Sequence, residues 1–273
     1  MKQNTLEEGV EQLNLAFDTY GINFLDTAEM YPVPTKPETQ GRTDETVSQF
    51  LKGRKRDDVI LATKVAGRSD RITWLRDDKS GAIVNKQQIK ESVDKSLQRL
   101  GTDYIDLLQI HWPDRYTGGL FGQPDFSPSK YDIDAGYVSF EEQLSTLNDI
   151  VKEGKVRYIG VSNETPFGIC SMCEMAKHSP ELYPKIVSIQ NSYSLLVRKD
   201  FEAGLAEACF HHNVGLLPYS PLAGGILTGK YRDSVPEKAR FNLFPGFMDR
   251  YKSSLNEAAA NAYGDIAKEV NRT

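Results

Sequence analysis

Six short apolar runs, separated by segments of helical periodicity, constrain the fold of this chain more than any other feature. The runs lie at 22–28, 58–65, 104–111, 156–162, 186–191 and 214–219. Because each run is apolar almost throughout, the pattern is typical of strands buried on both faces of a parallel sheet. The segments between the runs predict helices that cover this sheet. No shift in composition marks a linker, so the sequence predicts an α/β fold in a single domain over residues 1–273.

Helical periodicity and end signals predict seven helices between and around these strands. Two of them begin at patterns typical of helix capping, Asn85-x-x-Gln88 and Ser139-x-x-Glu142. The predicted helices span residues 6–20, 43–53, 85–101, 139–154, 165–177, 199–212 and 255–270, and two long loops span 66–84 and 112–138.

Polar residues stand at the carboxyl ends of all six predicted strands. They are Asp26, Lys64, His111, Ser162, Gln190 and Tyr219. In a (β/α)8 barrel such positions line one mouth, whereas an open doubly wound dinucleotide fold calls for G-x-G-x-x-G after its first strand. No such glycine pattern follows the first strand here, so the barrel is favoured. A barrel needs eight strands, however, and this sequence supplies six.

Three of these polar residues, together with Tyr31, suggest acid–base chemistry. Asp26 ends the first strand and Tyr31 follows it, while Lys64 and His111 end the next two strands. We expect Lys64 to lower the pKa of Tyr31 and Asp26 to keep Lys64 charged. His111 would then orient a carbonyl to which Tyr31 donates a proton. The alternative interpretation is structural: a solvated lysine, a histidine satisfied by its neighbours, a capping aspartate, or plain ion pairs.

The composition excludes several other classes of function. The net charge of -5 with interspersed acids and bases argues against nucleic acid as a main partner. No apolar run approaches a membrane span, no signal peptide is recognisable, and three cysteines fit a reducing compartment. We therefore expect a cytoplasmic protein without a membrane span. The run Gly224-x-x-x-x-Gly229-Lys230 imitates a phosphate loop but lacks the following Ser or Thr, and Cys170-x-x-Cys173 lacks a second pair, so we predict no metal site.

The sequence resembles the aldo-keto reductase family along nearly its whole length. The motifs that carry the resemblance are D-T-A-E-M-Y, L-A-T-K, Q-I-H-W-P, G-K-V-R-Y-I-G-V-S-N, I-Q-N-S-Y-S-L-L and P-Y-S-P-L-A-G-G-I-L-T-G-K-Y, in the order and spacing of the family. A-E-M-Y-P-V-P and V-S-N-E-T-P-F-G are most similar to the Tas-type branch, which is related to potassium-channel β subunits. The resemblance implies NADP(H)-dependent reduction of small carbonyl compounds on a (β/α)8 barrel.

The resemblance also implies roles for individual residues. Tyr31 is the expected general acid, tuned by Lys64 and Asp26, and His111 is expected to orient the substrate carbonyl. The residues expected to contact the cofactor are Ser162, Asn163 and Gln190 at the nicotinamide carboxamide, Tyr219 on the nicotinamide ring, Ser220, Pro221, Leu222 and Gly224 around the pyrophosphate, and Lys230 and Arg240 along the cofactor.

Two expectations and two alternatives complete the sequence-based interpretation. Measured against the family, the chain covers about the second to seventh strands, so we expect the first and eighth strands to be missing and NADPH binding by the chain alone to be weak. A barrel aldolase that uses Lys64 as a Schiff base is one alternative. A cofactor-binding regulatory partner without turnover is the other. The channel β subunits carry Asn where this chain has His111, which favours an enzyme.

Overall fold

Six parallel strands form one sheet in the order in which they occur along the chain. The structure is a computed structural model that describes residues 4–119 and 125–272. The strands are β1 (Phe24–Asp26), β2 (Ile60–Val65), β3 (Ile105–Ile110), β4 (Val156–Ser162), β5 (Ile186–Ser192) and β6 (Gly215–Tyr219). Each strand pairs in parallel with the next, so the predicted six-stranded parallel sheet is confirmed.

Helices connect the strands and flank the sheet. In the described residues they are α1 (Leu6–Asn14), α2 (Arg42–Leu51), α3 (Lys86–Leu100), α4 (Phe140–Lys152), α5 (Pro166–His178), α6 (Lys199–Glu202), α7 (Leu205–His212), α8 (Arg240–Leu243) and α9 (Ser254–Glu269), with a π-helical turn at Leu15–Thr19 and 3-10 turns at Arg56–Asp58, Pro128–Lys130, Ala223–Thr228 and Asp249–Tyr251. Among these helices, none combines the length and the apolarity that a bilayer crossing requires.

The main hydrophobic core lies between the sheet and the helices α3, α4, α5 and α7. Helical spacing places the apolar residues of each helix on one face, as with Ile89 and Val93 of α3. These side chains pack with the outward-facing residues of the strands, among them Val65, Val161 and Ile189. The apolar runs of the sequence therefore form strands because burial against helices removes them from water.

The opposite face of the sheet carries polar side chains towards its carboxyl end. Because strand residues alternate between the two faces, the pairing of Lys64 with Gln109 and of Ser162 with Gln190 places these side chains together. The strands β1 and β6 are the two edges of the described sheet. Tyr31, which follows β1, and Tyr219, which ends β6, nevertheless line the same cavity.

The sheet is therefore curved, and it fits the predicted (β/α)8 barrel. That the first and eighth strands of the barrel are missing stays a prediction.

Several predicted boundaries are wrong in detail. The predicted strand 22–28 is ordered as a strand only at Phe24–Asp26, and the predicted helix 6–20 changes from α to π geometry after Asn14. The predicted helix 199–212 is two helices, because Gly204 adopts a φ of 96° between them and a right-handed helix cannot continue through that conformation. The tail adds the short helix α8 before the predicted last helix.

Both predicted capping patterns are only half formed. Asn85 accepts a hydrogen bond from the amide of Gln88, but Oε1 of Gln88 accepts from the amide of Ile83 instead of returning to its own cap. Ser139 likewise accepts from the amide of Glu142 at 3.2 Å. The carboxylate of Glu142, however, accepts a hydrogen bond from the amide of Lys86 at 3.0 Å instead of returning to its own cap. Glu142 thereby connects the first turns of α3 and α4.

Asp114 fastens both ends of the loop that follows β3. Its Oδ2 accepts from the amide of Val84 and its Oδ1 from the amide of Val138, each at 2.8 Å. Arg68 donates to the same Oδ1 at 2.7 Å. Since the Asp114 side chain is 1% exposed, these contacts supply the partners that a buried carboxylate requires.

A buried ion pair holds the loop after β2 against the loop after β1. Arg76 donates to both carboxylate oxygens of Glu29, at 2.7 and 2.9 Å, and Glu29 also accepts from the amide of Ala66 at 2.7 Å. The two side chains are 0% and 2% exposed. Because Glu29 lies two residues before Tyr31, this pair fixes the backbone that carries the candidate acid.

We expect Arg76→Met to lower the free energy of unfolding by about 3–5 kcal/mol, because it leaves the buried charge of Glu29 without its partner. The matched control is Arg198→Met, which removes the exposed pair with Glu202 and should cost less than about 1 kcal/mol. Equilibrium denaturation in urea measures both. The double variant Glu29→Gln/Arg76→Met should be more stable than Arg76→Met alone; equal stabilities would contradict this explanation.

Candidate active site

A cavity of about 690 Å³ opens at the carboxyl ends of the strands. Its wall contains eight of the residues singled out from the sequence: Tyr31, His111, Ser162, Asn163, Gln190, Tyr219, Ser220 and Arg240. These residues come from the ends of β3 to β6 and from loops that are far apart in the sequence. A concave site built from strand ends is where barrels of this kind carry their chemistry.

Tyr31 stands at the end of a turn that follows β1. Its amide donates to the carbonyl of Ala28 at 2.9 Å, and its carbonyl accepts from the amide of Gly41 at 2.9 Å. Its ring lies edge-on to the imidazole of His111, with the ring centres 5.6 Å apart. The two side chains therefore meet at the cavity wall in a fixed arrangement.

Lys64 lies behind Tyr31 rather than on the cavity wall. Its side chain is 0% exposed, and its ammonium donates to Oδ2 of Asp26 at 2.5 Å and to the carbonyl of Thr27 at 2.9 Å. The same ammonium lies 5.0 Å from the centre of the Tyr31 ring. Burial lowers the pKa of Lys64, and the carboxylate of Asp26 opposes that shift.

The pKa of Tyr31 is raised, whereas we expected from the sequence that Lys64 would lower it. Burial raises the pKa of the Tyr31 phenol above its usual range, and the negative charge of Asp26 and the neighbouring phenol of Tyr219 raise it further. The expected net lowering was wrong, because the loss of hydration and the charge of Asp26 both disfavour the phenolate. Tyr31 is therefore a protonated phenol throughout the physiological pH range.

His111 is a neutral imidazole. Burial lowers its pKa well below the usual value, and the positive charge of Lys64 lowers it further. Its backbone is held on both sides: the amide donates to Val65 at 2.8 Å, and the carbonyl accepts from Nδ2 of Asn163 at 2.9 Å. Its Nδ1 is buried and has no hydrogen-bond partner among the described residues.

The lowered pKa of His111 makes the stability of the protein depend on pH. Below about pH 6.5 the unfolded chain protonates this imidazole and the folded chain does not, so stability is lost as the pH falls. We expect the free energy of unfolding of the wild type, relative to His111→Asn, to fall by up to about 1.4 kcal/mol per pH unit below pH 6. Urea denaturation at several pH values measures this. Parallel curves for the two proteins would contradict the neutral assignment.

A hydrogen-bonded group of side chains joins β4, β5 and β6. Ser162 Oγ donates to the carbonyl of Gln190 at 2.6 Å, and the hydroxyl of Tyr219 donates to Oδ1 of Asn163 at 2.8 Å. Asn163 adopts a left-handed φ of 54°, which places its amide between Tyr219 and His111. Asn tolerates this conformation better than most residues. The side-chain amide of Gln190 faces the cavity and makes no hydrogen bond to another described residue.

Four of the residues expected to contact the cofactor are not among the described residues that line this cavity. They are Pro221, Leu222, Gly224 and Lys230. The segment they belong to is tightly coiled: Ser220, Gly224 and Gly225 have φ values of 55°, 68° and 102°. Lys230 folds back onto Gly225, where an added Cβ would lie 2.6 Å from its Cε. The predicted pyrophosphate contacts stay a prediction.

The sequence-based interpretation missed Gln109 and three arginines. Gln109 is fully buried beside the Lys64–Asp26 pair and donates from Nε2 to Oδ1 of Asp26 at 3.1 Å. The period of two along β3 was the available signal, because Gln109 and His111 occupy the same face. Arg68, Arg71 and Arg250 line the cavity from loops, where no periodicity points to them.

The fold and this site agree with the comparisons to known proteins. The aldo/keto reductase family model matches residues 1–273. The chain is therefore a member of the aldo/keto reductase family, and the resemblance drawn from its motifs is confirmed.

Individual relatives show how close the similarity is. The chain is 44% identical over 271 residues to the protein Tas of Escherichia coli, covering 98% of this chain and 75% of Tas. It is 34% identical over 256 residues to the uncharacterized oxidoreductase YqkF of Bacillus subtilis, covering 93% and 67%. It is 28% identical over 254 residues to a probable voltage-gated potassium channel subunit beta of Arabidopsis thaliana, covering 92% and 64%. Family membership indicates an oxidoreductase that acts on small carbonyl compounds.

Proposed function

We propose that this protein reduces aldehydes or ketones with NADPH, and that Tyr31 supplies the proton. The observation that carries the proposal is the meeting of Tyr31 and His111 at the cavity wall, with the Lys64–Asp26 ion pair behind them. Bound NADPH would supply a hydride to the carbonyl carbon. The residues of the chain then have to place the carbonyl, deliver the proton and compensate the charge that this delivery leaves behind.

Tyr31 donates its proton to the carbonyl oxygen as that oxygen becomes an alkoxide. Its raised pKa keeps the proton in place until a strongly basic acceptor forms. When the proton leaves, the phenolate gains a negative charge 5.0 Å from the ammonium of Lys64, measured to the ring centre. That ammonium favours the charged form. Asp26 holds the ammonium in this position through the 2.5 Å hydrogen bond.

His111 orients the carbonyl as a neutral group. Its lowered pKa makes the imidazole a hydrogen-bond donor at one nitrogen only, so it does not compete with Tyr31 as an acid. Held by Val65 and Asn163 on either side of its backbone, it keeps a fixed direction towards the cavity. A fixed donor reduces the entropic cost of placing the substrate.

The side chains near β4 to β6 fit a nicotinamide cofactor. The unpaired amide of Gln190 and the polar groups of Ser162 and Asn163 match the donors and acceptors of a carboxamide. Arg240 makes no ion pair within the described residues and faces the cavity, which suits a phosphate. A second cavity of about 480 Å³ adjoins the first at Asn163 and Tyr219, which provides room for a long ligand. We propose NADP(H) as this ligand.

The geometry gives less support to the two alternatives. A Schiff-base lysine must reach the substrate, whereas Lys64 is fully buried and does not line the cavity. A regulatory partner without turnover would not need the Tyr31–His111 arrangement. It remains an outcome of the experiment below.

We expect Tyr31→Phe to reduce the kcat for aldehyde reduction at least about 100-fold, because the proton donor is lost. The affinity for NADPH should change little, since the Tyr31 hydroxyl forms no hydrogen bond to another described residue. NADPH oxidation with benzaldehyde measures turnover, and fluorescence titration measures binding. The matched control is Tyr263→Phe, which removes the same hydroxyl from a tyrosine on α9 that does not line this cavity.

NADPH binding without turnover in the wild type would favour the regulatory partner. Turnover that survives Tyr31→Phe would remove Tyr31 from its proposed role. Absence of both binding and turnover would contradict the proposed function as a whole.

We expect Gln109→Met, which keeps the length of the side chain but not its donor, to lower kcat about tenfold. Loss of the hydrogen bond to Asp26 releases one carboxylate oxygen and with it the position of Lys64, and a tenfold loss in kcat corresponds to about 1.4 kcal/mol of transition-state stabilisation. KM should change little, whereas the midpoint of thermal unfolding should fall by a few degrees, because a hydrogen bond to a charged group contributes about 1.5–3 kcal/mol to stability. The control is Ser188→Ala, which removes a buried hydroxyl without a partner in the described part of the chain. Equal losses in kcat for both variants would contradict the role of Gln109.

A further inference from the structure

The cavity is positively charged in a protein whose net charge is -5. Among its described lining residues are four arginines, Arg68, Arg71, Arg240 and Arg250, and one carboxylate, Asp70. Charge of one sign in a concave site attracts ligands of the opposite sign more strongly than the same charge on a flat surface. The cavity is therefore suited to anionic ligands.

The four arginines fall into two groups by their place in the chain. Arg240 and Arg250 follow β6, on the side where we propose the cofactor. Arg68 and Arg71 follow β2 and line the cavity together with Tyr31 and His111. The phosphates of a cofactor therefore account for the first group and leave the second without a ligand.

Within the second group, Arg68 already forms hydrogen bonds with other residues of the protein. Its guanidinium donates to Oδ1 of Asp114 at 2.7 Å and to the carbonyl of Gly136 at 2.8 Å. Arg71 differs, since its guanidinium forms no ion pair and no hydrogen bond with any residue that the structure describes. Arg71 is exposed at the cavity wall, so its guanidinium is available to bind a carboxylate or a phosphate.

The backbone on both sides of Arg71 is fixed. Ser69 forms an antiparallel bridge with Ala82, with hydrogen bonds of 2.8 and 2.9 Å, and Ser69 Oγ accepts from the amide of Arg71 at 3.3 Å. On the other side, the buried Ile72 packs in one apolar cluster with Met30 and Trp112. The free guanidinium thus stands on an ordered base at the wall of the cavity that Tyr31 also lines.

We propose, resting on the proposed function, that the natural substrate of this site is a carbonyl compound that also carries a carboxylate, and that Arg71 binds this carboxylate. A single guanidinium forms two parallel hydrogen bonds with a carboxylate. The charge of one free guanidinium matches that of one carboxylate, and the neighbouring Arg68 is already paired with Asp114.

Two aldehydes of similar shape test the proposal on the full chain with NADPH. They are 4-carboxybenzaldehyde and its uncharged analogue 4-formylbenzamide. We expect kcat/KM to be about tenfold higher for the carboxylate at low salt, corresponding to about 1.4 kcal/mol, and the ratio to fall as ionic strength rises. Arg71→Gln should bring the ratio close to one, and Arg71→Lys should retain part of it.

Arg42→Gln is the matched control. It removes the same charge from an exposed position on α2 that does not line the cavity, so the ratio should stay at the wild-type value. A wild-type ratio near one, or a ratio unchanged by Arg71→Gln, would overturn the proposal and leave carbonyl reduction standing. A higher kcat/KM for 4-formylphenyl phosphate than for the carboxylate would overturn the choice of carboxylate. Weaker NADPH binding by Arg71→Gln at an unchanged ratio would assign Arg71 to the cofactor.

Binding separates this proposal from the proposed function. If neither aldehyde is reduced, the proposed function fails, and calorimetric titration with 4-carboxybenzaldehyde still tests Arg71. We expect the affinity of Arg71→Gln to be about tenfold lower than that of the wild type and that of Arg42→Gln to be unchanged. Equal affinities of the wild type and Arg71→Gln would overturn the carboxylate site.

Discussion

The candidate active site depends on the ion pair between the buried Lys64 and the partly exposed Asp26. A lysine side chain with no exposure loses its hydration, which costs several kcal/mol unless fixed partners replace the water. Asp26 and the carbonyl of Thr27 are those partners, at 2.5 and 2.9 Å. The ammonium therefore has one stable position, and that position is behind the ring of Tyr31. Packing of β1 against β2 thus determines the electrostatic surroundings of the candidate acid.

Asn163 connects the two sides of the site. Its amide donates to the carbonyl of His111, and its Oδ1 accepts from the hydroxyl of Tyr219. His111 belongs to the side where we propose proton delivery, whereas Tyr219 belongs to the side where we propose the cofactor. The left-handed backbone of Asn163 is the local conformation that makes both contacts available to one side chain. A shift at either side is therefore transmitted to the other through a single amide.

The sequence predicted the fold well because burial leaves a direct trace in it. Six apolar runs become six parallel strands, and four of the six polar residues at their ends line one cavity. Properties that depend on distance and depth were predicted less well. The raised pKa of Tyr31 follows from its burial, and the contact of Gln109 with Asp26 joins residues far apart in the chain. Arg71 lies in a loop, where its free guanidinium is visible only once its neighbours are known.

Asp114 has a consequence for how this protein can vary during evolution. Its carboxylate accepts hydrogen bonds from Arg68, Val84 and Val138. The loop after β3 therefore begins and ends at the same carboxylate. Insertions or deletions between those ends change the length of a loop whose closure entropy depends only weakly on length. The loop can therefore diversify while the positions of Tyr31 and His111 stay the same. One buried carboxylate thus allows the loop at the rim of this site to change in length and sequence without moving the site.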